Sequence, residues 1–271
     1  MSRLFAFGCS FTDYYWQTWV DSIADQFDEV QNWGMVGCGN QSISIRLSQC
    51  HKSHNITKDD TVLIMWTNVA REDRWSISGW TNAGNRRKTE AAGKYLDSKD
   101  LQWYALRDYT TIANTVWLLN HLGCKYEMYS MIPITERYDQ YDVGPIGIFD
   151  KAKNISDVFG NELERIKPSV IDVLYNGAWP DPFGNNGIRD MHPLPSEHLK
   201  YMDLVSSYKP TEKARKRAYE QDMWIKDKIK SFGRSNKMLS QEELIEIRKI
   251  KQPFYTQAMS GLQFYDLISY E

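Results

Sequence analysis

The sequence has no long apolar run. Its longest uninterrupted apolar stretch is the five residues from Val62 to Trp66, whereas a helix that crosses a bilayer needs about 18 or more. We therefore expect no membrane span and no membrane partner. The first residues of the chain also contain too short an apolar stretch for a signal peptide, which predicts a cytoplasmic protein.

Cysteine is scarce and scattered. The chain has four cysteines, and none of them belongs to a CxxC pair. In a sequence without a secretory signal, this usage predicts reduced thiols. The four are Cys9, Cys38, Cys50 and Cys124.

The chain also lacks an excess of residues with charge of one sign. The chain carries 33 Lys and Arg against 35 Asp and Glu, a net charge of −2, so its overall electrostatics give no reason to expect a nucleic-acid partner. What the sequence does contain is 42% hydrophobic and 13% aromatic residues, the composition of a folded globular chain. Its 271 residues suffice for one large domain or two smaller ones.

Short apolar segments alternate with amphipathic ones through the first half of the chain. The continuous run 61–67 is the strongest strand signal and favours a central strand. Such alternation predicts a parallel sheet flanked by helices, because parallel neighbours need a crossover element between them. Residues 169–174 are either a fifth strand or, since Pro168 suits a first helical position, a helix. The predicted strands are 3–7, 29–32, 61–67 and 126–132, and the predicted helices are 13–27, 41–50 and 109–122.

Two regions depart from this alternation. Residues 71–99 are polar and show no strand or helix period, so we interpret 71–104 as a lid-like insertion. Residues 208–271 form a basic helical extension, with 13 Lys and Arg against seven Asp and Glu between Tyr208 and Gln252. Its apolar residues have to pack on its own domain or on a neighbouring copy. We therefore place one domain at 1–207 and the C-terminal extension at 208–271.

Ser10 is the candidate nucleophile. It follows the first predicted strand and precedes the first predicted helix. A serine at that point lies at the carboxyl edge of the sheet, beside the N–H groups of a helix N-terminus, which stabilise an oxyanion. The alternative is that Ser10 only caps the helix, because the segment from Ser10 to Asp13 also fits a capping box.

A nucleophilic serine needs a base, and His192 is the best candidate among the five histidines. It lies two residues after Asp190, whose carboxylate suits the orientation of an imidazole; the alternative is a loop histidine beside a rigid proline. His198 is expected in a helix, at a solvated position. His51 and His54 have a spacing that suits a metal, but two histidines at a helix C-terminus more often complement its dipole, and we expect no metal.

Two further segments supply hydrogen-bond donors for an oxyanion. Gly37 follows the second strand, where a backbone N–H can approach a ligand closely, and Asn68 places an amide at the end of the central strand. Arg71 suits an anionic group near Asn68 or, alternatively, a surface salt bridge. Trp75 and Trp80, within the insertion, suit substrate contact.

Four short blocks occur in a fixed order: Gly-x-Ser after strand one, Gly after strand two, Asn after strand three, and Asp-x-His-Pro near the end. Together they resemble the blocks of the SGNH hydrolases, also called the GDSL esterase family, over about residues 3–205. The resemblance implies a three-layer α/β/α flavodoxin-like fold with a parallel sheet of about five strands. It also implies ester or thioester substrates, Ser10 as nucleophile and His192 as general base. The implied oxyanion donors are the N–H groups of Ser10 and Gly37 and the side chain of Asn68.

The sequence departs from the family pattern at four positions. Cys9 stands where the family usually has Asp. In the third block, usually Gly-x-Asn-Asp, Trp66 stands in place of Gly and Val69 in place of Asp. Asp190 lies two residues before His192 instead of three. The last departure leaves both a Ser-His dyad and a Ser-His-Asp triad open.

These residues predict a serine acyl-ester hydrolase of esterase or deacetylase type that uses no cofactor, with a small ester or acylated carbohydrate as substrate. The sequence does not choose between hydrolysis and acyl transfer. The alternative is a non-catalytic binding or assembly module whose extension 208–271 contacts a second copy or a virion. A weaker resemblance, carried by the blocks around Ser10, Asn68 and His192, is to a phage-encoded subgroup, and it implies a virion or an infected cytoplasm.

Overall fold

A computed structural model describes residues 1–69, 71–76, 79–85, 98–134, 155–177, 192–231 and 239–248, with side chains except at 74–76, 79–85 and 98–102. The strands are β1 (Arg3–Gly8), β2 (Glu29–Asn32), β3 (Thr61–Trp66), β4 (Arg71–Ser76), β5 (Gly79–Asn85) and β6 (Lys125–Ser130). The helices are α1 (Trp19–Ile23), α2 (Asn40–His54), α3 (Ser98–Leu122), α4 (Gly160–Leu163), α5 (Val170–Tyr175), α6 (Pro195–Val205), α7 (Glu212–Ser231) and α8 (Gln241–Arg248).

Four parallel strands form the central sheet in the order β2-β1-β3-β6. The central strands β1 and β3 are buried almost throughout because they consist of nearly continuous apolar residues. Helices flank the sheet, with α2 beside α3 and α1 beside α6. This is the flavodoxin-like strand order, in which ligands bind at the carboxyl ends of the strands near the switch point between β1 and β3. The predicted α/β fold is confirmed.

The sheet has four strands in the described residues, not the five or so that we expected. The fifth candidate, 169–174, is helical and contributes α5. Its first turn is fixed by Ser169, whose Oγ accepts a hydrogen bond from the Asp172 N–H at 3.2 Å. A side-chain cap of this kind satisfies a helical N–H that a strand would pair with a neighbour, so the helical alternative is correct.

The predicted helix 13–27 is mostly wrong. Only Trp19–Ile23 is α-helical, and a single 3₁₀ turn at Ala24–Gln26 follows it. The helix starts late because the Thr18 N–H donates to the Asp21 carboxylate at 2.7 Å, which fixes Thr18 as the N-cap. The aromatic residues before Thr18 therefore lie in an irregular segment.

A hairpin occupies the first part of the region that we expected to lack regular structure. Strands β4 and β5 pair antiparallel with each other, in a sheet of their own. Trp75 and Trp80 lie directly opposite each other in this ladder. The hairpin strands are polar, so they lack the alternation by which a half-buried strand is recognised in a sequence.

Helix α3 begins earlier than predicted. It starts at Ser98, whereas the predicted start was residue 109.

The described part of the C-terminal extension packs on its own chain. Ile225 and Ile229 of α7 and Ile247 of α8 are buried with Tyr14 and Trp16 in a hydrophobic cluster apart from the main core. Burial of each isoleucine stabilises this contact by about 1.5–3 kcal/mol. The domain boundary at 207 stays a prediction, and the apolar residues of 253–270 lie outside the described residues. Among the helices described, none has the length and apolar character required to cross a membrane.

Candidate active site

Gly8 ends β1 and lets the chain turn at the carboxyl edge of the sheet. A Cβ at this position would lie 2.0 Å from Thr12 Oγ1 and 2.9 Å from the Met65 carbonyl oxygen. Because the backbone oxygen cannot give way, the turn requires glycine. The segment that follows, residues 9–18, is called the Ser10 loop below.

Ser10 lies in a turn and not at the start of a helix. The N–H groups of Thr12 and Asp13 both donate to the Cys9 carbonyl, at 2.9 and 3.1 Å, and the first helix begins only at Trp19. The expectation that a helix begins directly after Ser10 is therefore wrong, and so is the alternative that Ser10 caps it. Ser10 itself is buried.

The His192 ring lies against Ser10. Its Nε2 is 2.8 Å from Ser10 Oγ, although the two residues are 182 positions apart in the sequence. This distance confirms the expected proximity of the two side chains. When the ring proton is on Nδ1, Nε2 accepts the hydrogen bond from the serine hydroxyl, which is the arrangement that a general base requires.

Aromatic rings enclose the imidazole of His192. The Tyr14 ring stacks on it, with centroids 3.7 Å apart and planes inclined by 17°. Phe11 approaches it at 5.4 Å with a 60° tilt. These contacts leave His192 half-buried, and they restrict rotation of its ring.

The backbone after His192 is also fixed. The buried indole of Trp16 donates from Nε1 to the Pro193 carbonyl at 2.7 Å. The Leu194 N–H donates to the Glu197 carboxylate at 2.7 Å, which begins helix α6. Burial raises the pKa of Glu197, although the Leu194 N–H opposes this shift. Residues 192–196 are called the His192 segment below.

The two predicted oxyanion donors lie at the same sheet edge as Ser10. Gly37 follows β2 with a φ of +79°, a left-handed conformation that favours glycine. Asn68 comes two residues after β3 and is buried. Since β1, β2 and β3 are parallel neighbours, their carboxyl ends bring all three residues to one edge.

The hairpin strand β4 holds the segment that follows Gly37. Arg71 Nη1 donates to the Cys38 carbonyl at 2.9 Å. Asp73 accepts from the N–H groups of Gly39 and Ser42, at 2.6 and 2.9 Å, and so satisfies the first turn of α2. Burial raises the pKa of Asp73, and these two N–H groups oppose the shift.

A buried polar network joins α2 to the end of β3. Asn40 exchanges two hydrogen bonds with the Thr67 backbone, at 2.8 and 3.0 Å, and also donates to Asp108 at 2.7 Å. Arg107 pairs with Asp108 at 2.6 Å. Burial raises the pKa of Asp108 to about 6, despite the nearby Arg107. The network fixes the backbone next to Asn68.

Comparison with known proteins finds likeness in architecture. No protein-family model and no curated protein sequence matches the chain. Solved structures do match it, among them a lipolytic protein of the G-D-S-L family from Veillonella parvula DSM 2008. Its sequence is 15% identical, and the match covers 75% of this chain and 97% of that chain at a TM-score of 0.41.

Two esterase structures are similar in the same way. Axe2, an acetylxylan esterase from Geobacillus stearothermophilus, is 14% identical over 82% of this chain and 93% of its own, with a TM-score of 0.43. The psychrotrophic esterase EstA from Pseudoalteromonas sp. is 15% identical over 85% and 97%, with a TM-score of 0.37. At TM-scores of 0.37–0.43, these similarities establish neither an activity nor the predicted phage association for this chain.

Four of the residues implied by the G-D-S-L resemblance fall in the described ranges: Ser10, Gly37, Asn68 and His192. The structure brings the side chains of Ser10 and His192 together. Asp190 lies outside the described residues, so its place beside the imidazole stays a prediction.

The predicted substrate-binding residues have different outcomes. Arg71 Nη1 donates to the Cys38 backbone carbonyl, and Nη2 lies 3.9 Å from Met131 Sδ. Part of the guanidinium is therefore engaged in contacts within the chain. Trp75 and Trp80 are paired across the hairpin backbone. Their contact with substrate stays a prediction.

Sequence reasoning missed several residues of the site. His198, expected at a solvated position, is fully buried on α6, with its ring 6.0 Å from Phe11. The spacing of Leu194, His198 and Met202 is a helical stripe that would have indicated this burial. Tyr14, which stacks on His192, was assigned only to the incorrect helix.

No cluster of three or more metal-ligating side chains occurs in the described residues. His51 and His54 lie in the last turn of α2, as expected. His54 Nδ1 is 3.2 Å from Gln31 Nε2, and its ring lies near Phe5 and Trp33.

Proposed function

We propose that the protein is a serine acyl-ester hydrolase in which Ser10 is the nucleophile and His192 is the general base. The 2.8 Å contact between Ser10 Oγ and His192 Nε2 carries the proposal. Serine hydroxyls are weak nucleophiles at neutral pH and need an adjacent base of this kind. The position of both residues at the carboxyl edge of a parallel sheet adds support.

In the proposed reaction, His192 Nε2 takes the hydroxyl proton as Ser10 Oγ attacks the ester carbonyl carbon. The negative oxygen of the tetrahedral intermediate accepts hydrogen bonds from the N–H groups of Ser10 and Gly37 and from the Asn68 amide. The intermediate then expels the alkoxide, which receives the proton from His192. The product of this half-reaction is an acyl ester on Ser10.

Water completes the cycle. His192 removes a proton from a water molecule as its oxygen attacks the acyl carbonyl. The second tetrahedral intermediate then expels Ser10 Oγ, which takes that proton back from His192, and the carboxylic acid leaves. A small acyl group such as acetyl, on an alcohol or a carbohydrate, is the proposed substrate class. Trp75 and Trp80, opposite each other on the hairpin, are the proposed surface for a sugar ring.

Hydrolysis of an aryl acetate tests the proposal. We expect turnover by the full chain, and losses on the order of 10⁴ or more in kcat for both Ser10→Ala and His192→Ala, because the two residues act as one unit. Ser22→Ala is the matched control, since Ser22 is also buried but its hydroxyl lies 3.4 Å from the Thr18 carbonyl within the same helix turn. A folded chain without turnover would favour the non-catalytic module instead.

A further inference from the structure

Two aromatic residues of the Ser10 loop hold the segment that carries the base. Trp16 is fully buried, and its indole N–H donates to the Pro193 carbonyl, the backbone group next to His192. Tyr14 stacks face to face on the His192 ring. The Tyr14 ring also packs edge-on against Trp16, with centroids 4.6 Å apart. The tyrosine is thus held between the indole and the imidazole.

Helix α7 supports both sides of this arrangement. Gln221 accepts a hydrogen bond from the Gln17 N–H, in the Ser10 loop, at 2.9 Å. The next residue, Asp222, accepts from both the N–H and the hydroxyl of Ser196, in the His192 segment. Consecutive residues of one helix therefore bind the loop of the nucleophile and the segment of the base.

Apolar packing adds to these hydrogen bonds. Ile225 and Ile229, one and two turns further along α7, are buried in the same cluster as Tyr14, Trp16 and Leu194. The helix belongs to the C-terminal extension, which carries none of the four sequence blocks. Its placement nevertheless fixes the backbone on both sides of the contact between serine and histidine.

We propose that Tyr14 and Trp16, supported by helix α7, are positioning residues that hold the His192 imidazole against Ser10. The indole fixes the backbone at Pro193, and the phenol ring fixes the plane of the imidazole. Proton transfer is sensitive to such placement, since a displacement of about 1 Å can cost on the order of 10² in rate. An aromatic face also stabilises the cationic imidazole that forms during the reaction. This inference rests on the proposed esterase function.

Three variants separate the two contacts. Trp16→Phe keeps an aromatic side chain and removes the N–H donor. Tyr14→Phe keeps the stacked ring, whereas Tyr14→Leu removes it and keeps an apolar side chain. Tyr201→Phe is the matched control, because the buried Tyr201 hydroxyl also donates to a proline carbonyl, that of Pro168, at 2.7 Å.

The readouts are kcat and KM for an aryl acetate, the Tm of each variant, and the ¹⁵N chemical shift of His192 Nε2. We expect Trp16→Phe and Tyr14→Leu to lower kcat by roughly 10- to 100-fold with little change in KM. Tyr14→Phe should retain most of the parent's kcat. Tyr201→Phe should lower only the Tm.

The nitrogen shift makes the test independent of turnover. In the parent chain we expect the Nε2 shift of a hydrogen-bonded imidazole, displaced toward the value of free imidazole in Trp16→Phe and Tyr14→Leu. If the parent hydrolyses no ester, the proposed function fails, and the shift still reports on the positioning. Parent-like kcat and Nε2 shift in Tyr14→Leu would overturn the inference, even if Trp16→Phe did not fold. Equal losses in Tyr14→Phe and Tyr14→Leu would overturn the role of the stacked ring.

Discussion

Arg71 and Cys38 are joined by a hydrogen bond of 2.9 Å from a guanidinium nitrogen to a backbone carbonyl. The bond connects the hairpin to the segment directly after Gly37, a proposed oxyanion donor. The Arg71 N–H also donates to the Asn68 carbonyl at 3.1 Å. One residue therefore contacts the segments that carry two of the three proposed donors.

Loss of the Arg71 guanidinium should impair the proposed oxyanion hole indirectly. We expect Arg71→Met, which keeps an apolar stem, to lower kcat roughly tenfold while KM changes less, since a displaced N–H acts mainly on the transition state. Arg165→Met is the matched control, because Arg165 donates to the Tyr126 hydroxyl at 2.6 Å on the exposed surface. Steady-state kinetics with an aryl acetate give both constants, and an unchanged kcat in Arg71→Met would refute this role.

Asp190 should matter less than Ser10 and His192, the proposed nucleophile and base. Its spacing from His192 departs from the family pattern, so we expect Asp190→Asn to lower kcat by on the order of 10² or less, against about 10⁴ where an Asp is an indispensable partner. Side-by-side kinetics of Asp190→Asn, Ser10→Ala and His192→Ala provide the comparison. Equal losses in all three variants would establish a full triad.

Asp108 should make stability depend on pH. Its pKa is about 6 in the folded chain and ordinarily about 3.8, so the folded state binds this proton more tightly than the unfolded state. The free energy of unfolding therefore falls as pH rises from about 4 to about 6, by at most about 1.4 kcal/mol per pH unit from this group.

Asp108→Asn isolates that contribution, because the amide is neutral at every pH. We expect the parent to lose stability relative to Asp108→Asn between pH 4 and 6, and the difference to level off above about pH 7. Urea unfolding at several pH values measures it. A difference that stays constant across this range would mean that Asp108 has an ordinary pKa in the folded chain.

Ile225 tests the packing of the C-terminal extension. It is fully buried on α7, so Ile225→Ala should lower the free energy of unfolding by about 2–5 kcal/mol. Met223 lies on the same helix and is 67% exposed, so Met223→Ala should change it by less than about 0.5 kcal/mol. Equal effects of the two substitutions would show that α7 does not pack in this orientation.

The strands of the central sheet were predicted from the sequence more accurately than the helices and loops around them. The strand 61–66 is recognisable because both its faces are buried and its residues are therefore continuously apolar. Ser10 and His192 were predicted to meet because a nucleophilic serine needs an adjacent base, and His192 was the best candidate among the histidines. The contact joins two residues that are 182 positions apart in the sequence. No local sequence pattern specifies a contact at that separation.

The incorrect predictions for the segment 13–27 and for His198 have a common physical origin, which is packing between residues far apart in the sequence. The apolar spacing from Trp16 to Phe27 mimics a helical stripe, yet Trp16 packs with Leu194 and with isoleucines of α7 and α8. His198 was expected to be solvated because it is polar, and packing of α6 buries it. Local periodicity records only that a residue is buried, and not which distant element buries it.

Reaction with a fluorophosphonate tests whether Ser10 is an activated nucleophile, because this probe phosphonylates a serine that an adjacent base has activated. The full chain is incubated with the probe, and the modified residue is located by peptide mass spectrometry. We expect one adduct, on Ser10, absent in Ser10→Ala and strongly reduced in His192→Ala. A folded parent chain that takes up no probe, or an adduct on Ser10 that forms equally fast in His192→Ala, would contradict it.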